Sequence, residues 1–291
     1  MIVHGDQRVL VQGITGRQGT FWTERMQACG TRIVAGVNPK KAGTMHCAVP
    51  VHASAREAMR EVGFDVSVLF IPPLGVKAAA LDAIEAGCRR LVVLTEHIPV
   101  QDVMEVLAAA RANDAVVVGP NTAGLVTPGE CFVGFMPAFE TDIFRPGRVG
   151  VVSRSGSLGT LICLNLVQAG FGESAFIGIG GDPVLGTTTR DAVQALDVDE
   201  RTEAVVIVGE IGGTMEEDAA EYAQDMRKPV VAFVAGAASP PGKKMGHAGA
   251  IVMGDKGTYA SKRRALEAAG VEVLDTPSDV GRALAAALGR G

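Results

Sequence analysis

Arg8-Val9-Leu10-Val11-Gln12-Gly13-Ile14-Thr15-Gly16-Arg17-Gln18-Gly19-Thr20 passes from an apolar run through three evenly spaced glycines into a helical stretch. A strand, a glycine turn and a helix start in that order read as the opening of a phosphate-binding α/β domain. Glycines admit close backbone approach, and the free N–H groups and positive dipole of a helix start suit a pyrophosphate. A purely structural glycine turn is the competing reading. The spacing is G-x-x-G-x-x-G, not the dinucleotide fingerprint G-x-G-x-x-G, so the pattern does not imply NAD.

Outward from that turn, short apolar runs alternate with alanine-rich amphipathic stretches, the order of parallel sheets with right-handed crossovers. The strand candidates of the first half are 8–12, 32–37, 66–71, 91–94 and 115–118. Those of the second are 149–152, 175–179, 204–208, 230–234 and 271–274. Gly30, Gly87, Gly170 and Gly270 each stand where a helix should stop. Ser54 with Glu57, and Thr214 with Glu217, have the spacing of capping boxes. The stretch from Thr127 to Arg148 lacks periodicity and reads as the connection between halves.

A chain of 291 residues has material for two cores. Its residues are 47% hydrophobic but only 4% aromatic, so Val, Ala, Ile and Leu do the packing, as in buried parallel strands. A net charge of −5 with scattered basic residues leaves no footprint for nucleic acid or an anionic membrane. Five cysteines lack metal-site or redox spacings and read as free thiols in a reducing compartment. The first residues carry no signal-peptide core, and no run of about 18 apolar residues occurs, so a cytoplasmic protein is expected.

At the end of the second strand, where NAD enzymes place an acid for the ribose hydroxyls, the chain reads Val37-Asn38-Pro39-Lys40-Lys41. Two lysines suit a ribose that itself carries a phosphate, as in NADP or the 3′-phosphorylated ADP of coenzyme A; a solvated lysine pair is the alternative. Ile71-Pro72-Pro73, Leu94-Thr95-Glu96 and Gly119-Pro120-Asn121 follow later strands. They fall at strand C-terminal ends, where open α/β sheets bind ligands.

In the second half, Ser153-Arg154-Ser155-Gly156-Ser157 joins a strand to a helix, and its amides and hydroxyls suit a phosphoryl group. Serines that merely cap the helix are the bland explanation. Gly178 to Pro183 and Gly209 to Gly213 also follow strands. Downstream stands Gly246-His247-Ala248-Gly249-Ala250, preceded by the loop Ser239 to Met245. Small neighbours let a bulky group reach this imidazole, and Glu210 is the natural carboxylate for it. A loop histidine satisfied by backbone hydrogen bonds, or a simple ion pair, competes. His4, His46, His52 and His97 lack such a setting.

These motifs, in this order across essentially the whole chain, resemble the α subunits of succinyl-CoA synthetases. The wider family is the NDP-forming acyl-CoA ligases, with malate-CoA ligases and the C-terminal part of ATP-citrate lyase. The resemblance implies a Rossmann-like CoA-binding domain over residues 1–126, a connection over 127–148, and a flavodoxin-like ligase domain over 149–291. It implies that Thr15, Gly16, Arg17 and Gln18 cradle the CoA phosphates, that Lys41 neutralises phosphate charge, and that Leu94, Thr95 and Glu96 contact the CoA arm. His247 would carry a phosphoryl group, Glu210 would orient it, and Ser153, Arg154 and Ser155 would form the phosphate cradle, with no metal ligands in this chain. Mg-ATP or Mg-GTP would arrive through an ATP-grasp β subunit, since no nucleoside-triphosphate module is evident here.

The acid is less constrained. Where the succinate enzymes resembled here carry a Thr-Tyr-Glu run, this chain has Gly159-Thr160-Leu161; Thr122-Ala123 replaces Cys-Pro, and Lys40-Lys41-Ala42 replaces a glycine-rich loop. Ala123, Gly159 and His46-Cys47 are closer to the malate-CoA ligases. Succinate or a related small dicarboxylate is the expected substrate, with malate or another carboxylate as the alternative. A non-catalytic CoA sensor and an NADP oxidoreductase are the readings from other classes; retention of His247 with Glu210 argues against the first, and the glycine spacing against the second.

Overall fold

A computed structural model describes residues 1–239, 246–252 and 256–289. The glycine- and lysine-bearing loop 240–245 that leads into His247 lies outside the described residues. The chain divides into two compact units, Val3–Phe139 with Val184–Gly186, and Glu140–Pro183 with Thr187–Gly291.

The first unit runs β1 (Val9–Gln12), α1 (Arg17–Ala28), β2 (Ile33–Val37), β3 (Met45–His46), β4 (Val49–His52), α2 (Ala55–Glu61), β5 (Val66–Leu69), α3 (Val76–Glu85), β6 (Arg90–Val93), α4 (Val100–Ala112) and β7 (Val116–Val118). Its seven-stranded sheet has the order β3-β4-β2-β1-β5-β6-β7. All four residues of β1 are buried, as a central strand covered on both faces by helices requires. β1 pairs with β2 on one side and β5 on the other, both parallel. The strand order therefore reverses at β1, and the crevice beyond its C-terminal end is where ligands enter such sheets. The apolar residues of α2, α3 and α4, among them Ala58, Ile84 and Leu107, pack with Leu10, Leu69 and Leu91 of the strands.

The unit closes with a hairpin of β8 (Gly124–Thr127) and β9 (Cys131–Gly134), antiparallel across Pro128-Gly129-Glu130. Cys131–Gly134 lies within the stretch read from sequence as a connection without regular structure. Thr31 ties the hairpin to the unit by donating to the Phe132 carbonyl at 2.7 Å.

The second unit runs β10 (Pro146–Ser153), α5 (Gly156–Gln168), β11 (Glu173–Gly178), α6 (Thr189–Asp197), β12 (Ala204–Glu210), α7 (Met215–Ala223), β13 (Val230–Ala235), α8 (Tyr259–Ala268), β14 (Glu272–Leu274) and α9 (Val280–Ala287). Its strands lie in the order β14-β13-β12-β10-β11, all parallel. This is the flavodoxin-like 2-1-3-4-5 order, with its reversal at β10. The α/β class and both sheet types expected from sequence are present.

Gly30, Gly87, Gly170 and Gly270 stop helices with positive φ, as their spacing predicts. Ser54 caps α2 by accepting from the Glu57 N–H. The capping box expected at Thr214 does not form: Glu217 is drawn to Lys262 at 3.0 Å, and the Thr214 hydroxyl bonds Asp218 instead.

In α5, Gly159 answers a packing demand. A Cβ there would stand 2.5 Å from Phe176 Cε2 on the neighbouring strand. All five cysteines are free thiols, and among the described residues no helix is long and apolar enough to cross a membrane.

Glu173, the first residue of β11, is 1% exposed. Its Oε2 accepts from the Arg145 N–H at 3.0 Å, but burial dominates and pushes the carboxyl up to about 8. A carboxyl raised in the folded state favours the protonated form, so stability is fullest below the ordinary value of 4.5 and falls as pH rises towards 8. That gap corresponds to up to about 5 kcal/mol, part of which any buried polar replacement would keep. We expect Glu173→Gln to stabilise the fold by about 1–2 kcal/mol at pH 8 and negligibly at pH 4. Thermal melts at the two pH values check this, and an equal gain at both would reject it.

Candidate functional site

Two constellations stand at the switch points of the two sheets. In the first unit, β1 delivers Gly13 with φ +82°, where a Cβ would lie 2.3 Å from the Phe70 carbonyl oxygen. A Cβ at Gly19 would meet the Gly13 oxygen at 2.2 Å. These two glycines let the turn press against β5 and let α1 sit close upon the turn. Gly16 precedes the first residue of α1 with no side chain bonded across the helix start. The first N–H groups are thus left without a side-chain cap, the arrangement that receives an anion.

A cleft of about 770 Å³ opens at this point, lined among others by Gln12, Gly13, Thr15, Gly16, Asn38 and Lys40. Asn38 donates to the Thr15 hydroxyl, and its Oδ1 accepts from the Lys40 N–H at 2.9 Å. One amide therefore links the glycine turn to the short 3-10 turn Pro39–Lys41. A second cleft of about 490 Å³ is lined by Gln18, Trp22, Ile71, Pro72, Leu94, Thr95 and Phe135, among others. The Thr95 hydroxyl donates to the Ile71 carbonyl at 2.6 Å, and the Asn121 N–H donates to the Thr95 carbonyl at 3.0 Å, so three strand-end loops are mutually braced.

Of the residues singled out from sequence, Thr15 and Gly16 line the first cleft, and Gln18, Leu94 and Thr95 the second. Arg17, Lys41 and Glu96 line neither; Lys40 does. Glu96 faces His97 at 3.6 Å. Gln12, Asn38, Trp22 and Phe135 were not singled out as binding residues. The first two stand at strand C-terminal ends, which is the signal that finds them; the aromatic pair is united only by the fold, with ring centroids 6.2 Å apart.

In the second unit, the C-terminal ends of β10, β11 and β12 supply Ser153, the Gly178–Pro183 turn and Glu210. His247 Nδ1 lies 2.8 Å from Glu210 Oε2 and 3.0 Å from Oε1. The carboxylate side chain is 8% exposed while the imidazole is 27% exposed, so the ring is anchored on a buried acid with one side open. Gly181 makes room for it: a Cβ there would stand 2.3 Å from His247 Cγ. The Gly249 N–H donates to the Gly181 carbonyl at 2.9 Å and closes the turn around the ring.

The hydrogen bond to Glu210 holds the His247 imidazole above its ordinary range; burial and Arg154 pull it down, and Glu210 and Asp182 raise it by charge. When the ring is neutral with its proton on Nδ1, that proton is donated to Glu210 and the Nε2 lone pair is free.

Arg154 does not stand open as a phosphate ligand. Its guanidinium, 2% exposed, contacts Glu210 Oε1 at 3.2 Å and Glu216 Oε1 at 3.5 Å, and donates to the Gly212 carbonyl at 3.0 Å. The Ser153 hydroxyl donates to the Ser155 carbonyl at 2.6 Å, and Ser155 Oγ caps α5 by accepting from the Leu158 N–H. Beneath them Glu216 pairs with Lys262, both wholly buried. Neither was expected from sequence.

Residues 4–97 match the family model described as CoA binding domain, and residues 152–272 that described as CoA-ligase. The chain is 48% identical over 285 residues to subunit alpha 2 of an ADP-forming succinate–CoA ligase of Archaeoglobus fulgidus, with 98% of each chain covered. It is 42% identical over 291 residues to a subunit of the ADP-forming sulfoacetate–CoA ligase of Bilophila wadsworthia, with 99% of each covered. Among solved structures it is similar to a variant ATP citrate lyase of Methanosaeta concilii in complex with (3S)-citryl-CoA, at TM-score 0.85 and 26% identity. That match covers 98% of this chain and 50% of the lyase, so the chain spans half the length of that protein.

Proposed function

This chain belongs to the family of ADP-forming succinate–CoA ligase alpha subunits and their acid–CoA ligase relatives, and from that premise we propose that His247 carries a phosphoryl group between a nucleoside triphosphate and a carboxylic acid. The supporting observation is the contact of its Nδ1 with buried Glu210 at 2.8 Å, on a ring whose other side is open. Glu210 takes the Nδ1 proton as a hydrogen bond, which presents Nε2 as the nucleophile.

The reaction then has three displacements. Nε2 attacks the terminal phosphorus and the nucleoside diphosphate leaves. An acid carboxylate oxygen attacks the phosphohistidine phosphorus, giving an acyl phosphate and freeing the imidazole. The thiol of CoA attacks the acyl carbon, losing its proton, and inorganic phosphate leaves. The acyl oxygen thus departs as phosphate, where the free acid would have to lose hydroxide. Arg154 keeps Glu210 in place, and the start of α5, where Ser155 caps only the Leu158 N–H, is suited to an anion by its dipole.

CoA is the thiol substrate of the family, and the glycine turn, the open start of α1 and Lys40 suit its phosphates. The nucleotide and Mg2+ come with an ATP-grasp β subunit in a hetero-oligomer. Succinate or a related small dicarboxylate is the acid; the sulfoacetate ligase relative makes a sulfonated acid the first one to try beside it. Five free thiols support a reducing, cytoplasmic setting.

The test is to incubate the chain and its β partner with γ-labelled ATP or GTP, then to add an acid and CoA. Acid-labile, base-stable label on residue 247, taken up by the carboxylic acid and released as inorganic phosphate once CoA is also present, is the expected result. Label that never forms with either nucleotide would reject the reading.

Lys40→Glu, by opposing the ribose phosphate, should weaken CoA about tenfold more than dephospho-CoA. Lys41→Glu, beyond the cleft, should discriminate between them less. Titration calorimetry with both ligands decides, and equal losses for the two ligands in Lys40→Glu would remove that lysine from the site.

A further inference from the structure

Behind Glu210 lies a ladder of alternating charges that the phosphoryl transfer as described does not use. Arg154 bridges Glu210 and Glu216, Glu216 pairs with Lys262, and Lys262 reaches Glu217 at 3.0 Å and the Gly213 carbonyl at 2.9 Å. Side-chain exposure is 2% for Arg154, 8% for Glu210, 0% for Glu216 and Lys262, and 18% for Glu217. Burial of so many charges is poorly explained by stability, since apolar residues of similar volume generally hold a core at least as well.

The ladder is instead aimed at one carboxylate. Glu216 Oε1 accepts the Glu210 backbone N–H at 3.1 Å, fixing the residue from below. A Cβ on Gly209 would stand 2.6 Å from Glu216 Cγ, so the strand end is shaped to admit this side chain. With Glu217 included, two cations face three carboxylates, leaving one negative charge beside His247.

We propose that Glu216 and Lys262 are positioning residues for the phosphoryl transfer, fixing through Arg154 the place and the effective charge of the carboxylate on which His247 rests. This deepens the reading above and rests on it. Glu216 draws Arg154 away from Glu210, which keeps that carboxylate available to the ring; Lys262 moderates Glu216, and Glu217 moderates Lys262. The charged groups that act on His247 directly are Glu210, Arg154 and Asp182, and the ladder acts through the first two.

The sign of the effect should therefore alternate along the ladder. Removing a carboxylate lets Arg154 quench Glu210 more fully, which weakens the imidazole's hold on its proton. Removing the Lys262 ammonium does the reverse. A merely structural role predicts loosening, and so a fall, in every variant.

The experiment is a 15N titration of the His247 imidazole in the free full-length chain, with the resonance assigned by His247→Asn. We expect Glu216→Gln and Glu217→Gln to lower the midpoint, and Lys262→Met to raise it, each by about half a pH unit; Lys262→Arg should restore it. Midpoints that all fall, or that stay unchanged in folded variants, would overturn the proposal. Should the two fully buried replacements fail to fold, Glu217→Gln at the rim still decides, because an unmoved midpoint there also overturns it. No nucleotide, acid or CoA enters this titration, so failure to form phosphohistidine would count against the proposed function and leave the ladder's result standing.

Discussion

Replacing His247 by alanine should reduce thioester formation with the β partner by on the order of 10⁴-fold or more, because the proposed phosphoryl-accepting nitrogen is lost with the ring. CoA affinity should stay within about twofold, since the glycine turn and its clefts belong to the other unit. The ring is partly exposed and its loss leaves no deep cavity, so the melting temperature should change little. A coupled thioester assay and a CoA titration on the same preparation check both halves. If affinity fell as far as turnover, the separation of the two sites would be wrong.

Gly181→Ala should lower turnover by about 10²-fold while touching no chemical group. The added carbon would lie 2.3 Å from His247 Cγ and 2.6 Å from Nδ1, so the imidazole must move by about 1 Å. Displacements of that size cost about 10²-fold in well-aligned reactions. As the ring withdraws from Glu210 it loses the hydrogen bond that raises its proton affinity, so its titration should fall towards the ordinary histidine range. Gly181 is outside the left-handed region, which leaves the clash with the ring as the main penalty. Turnover close to that of the unmodified chain would show that the ring is not held where the structure has it.

Much of this fold can be read from the sequence because period and punctuation agree. Each of the ten runs 8–12 to 271–274 coincides with a parallel strand, since a core of Val, Ile and Ala between helices requires apolar runs. What escaped were the two-residue β3, β4, interrupted by Pro50 and only four residues long, and the β8–β9 hairpin. Pro128-Gly129 between two apolar tetrads was the available signal, obscured by the glycine- and proline-rich sequence after it.

In the sites, residues at strand ends were legible and residues defined by packing were not. Glu210 and Gly181 follow strands, where a sheet presents its side chains to a ligand. Lys262 reads as one of three basic residues on an exposed helix, Lys262-Arg263-Arg264, and only the approach of α7 to α8 buries it. Lys40 and Lys41 are indistinguishable in sequence; on the 3-10 turn Lys40 lines the cleft and Lys41 does not.

Gly159 limits which side chains α5 can carry next to the serine turn. The succinate enzymes resembled here carry a threonine at that position, yet in this chain any side chain there runs into Phe176, only 2.5 Å from the would-be Cβ. Growth of a side chain at position 159 is therefore conditional: the strand residue must shrink before the helix residue can grow. Grafting Thr-Tyr-Glu onto positions 159–161 alone should give a poorly folded chain, and the viable intermediate is the one that changes Phe176 first.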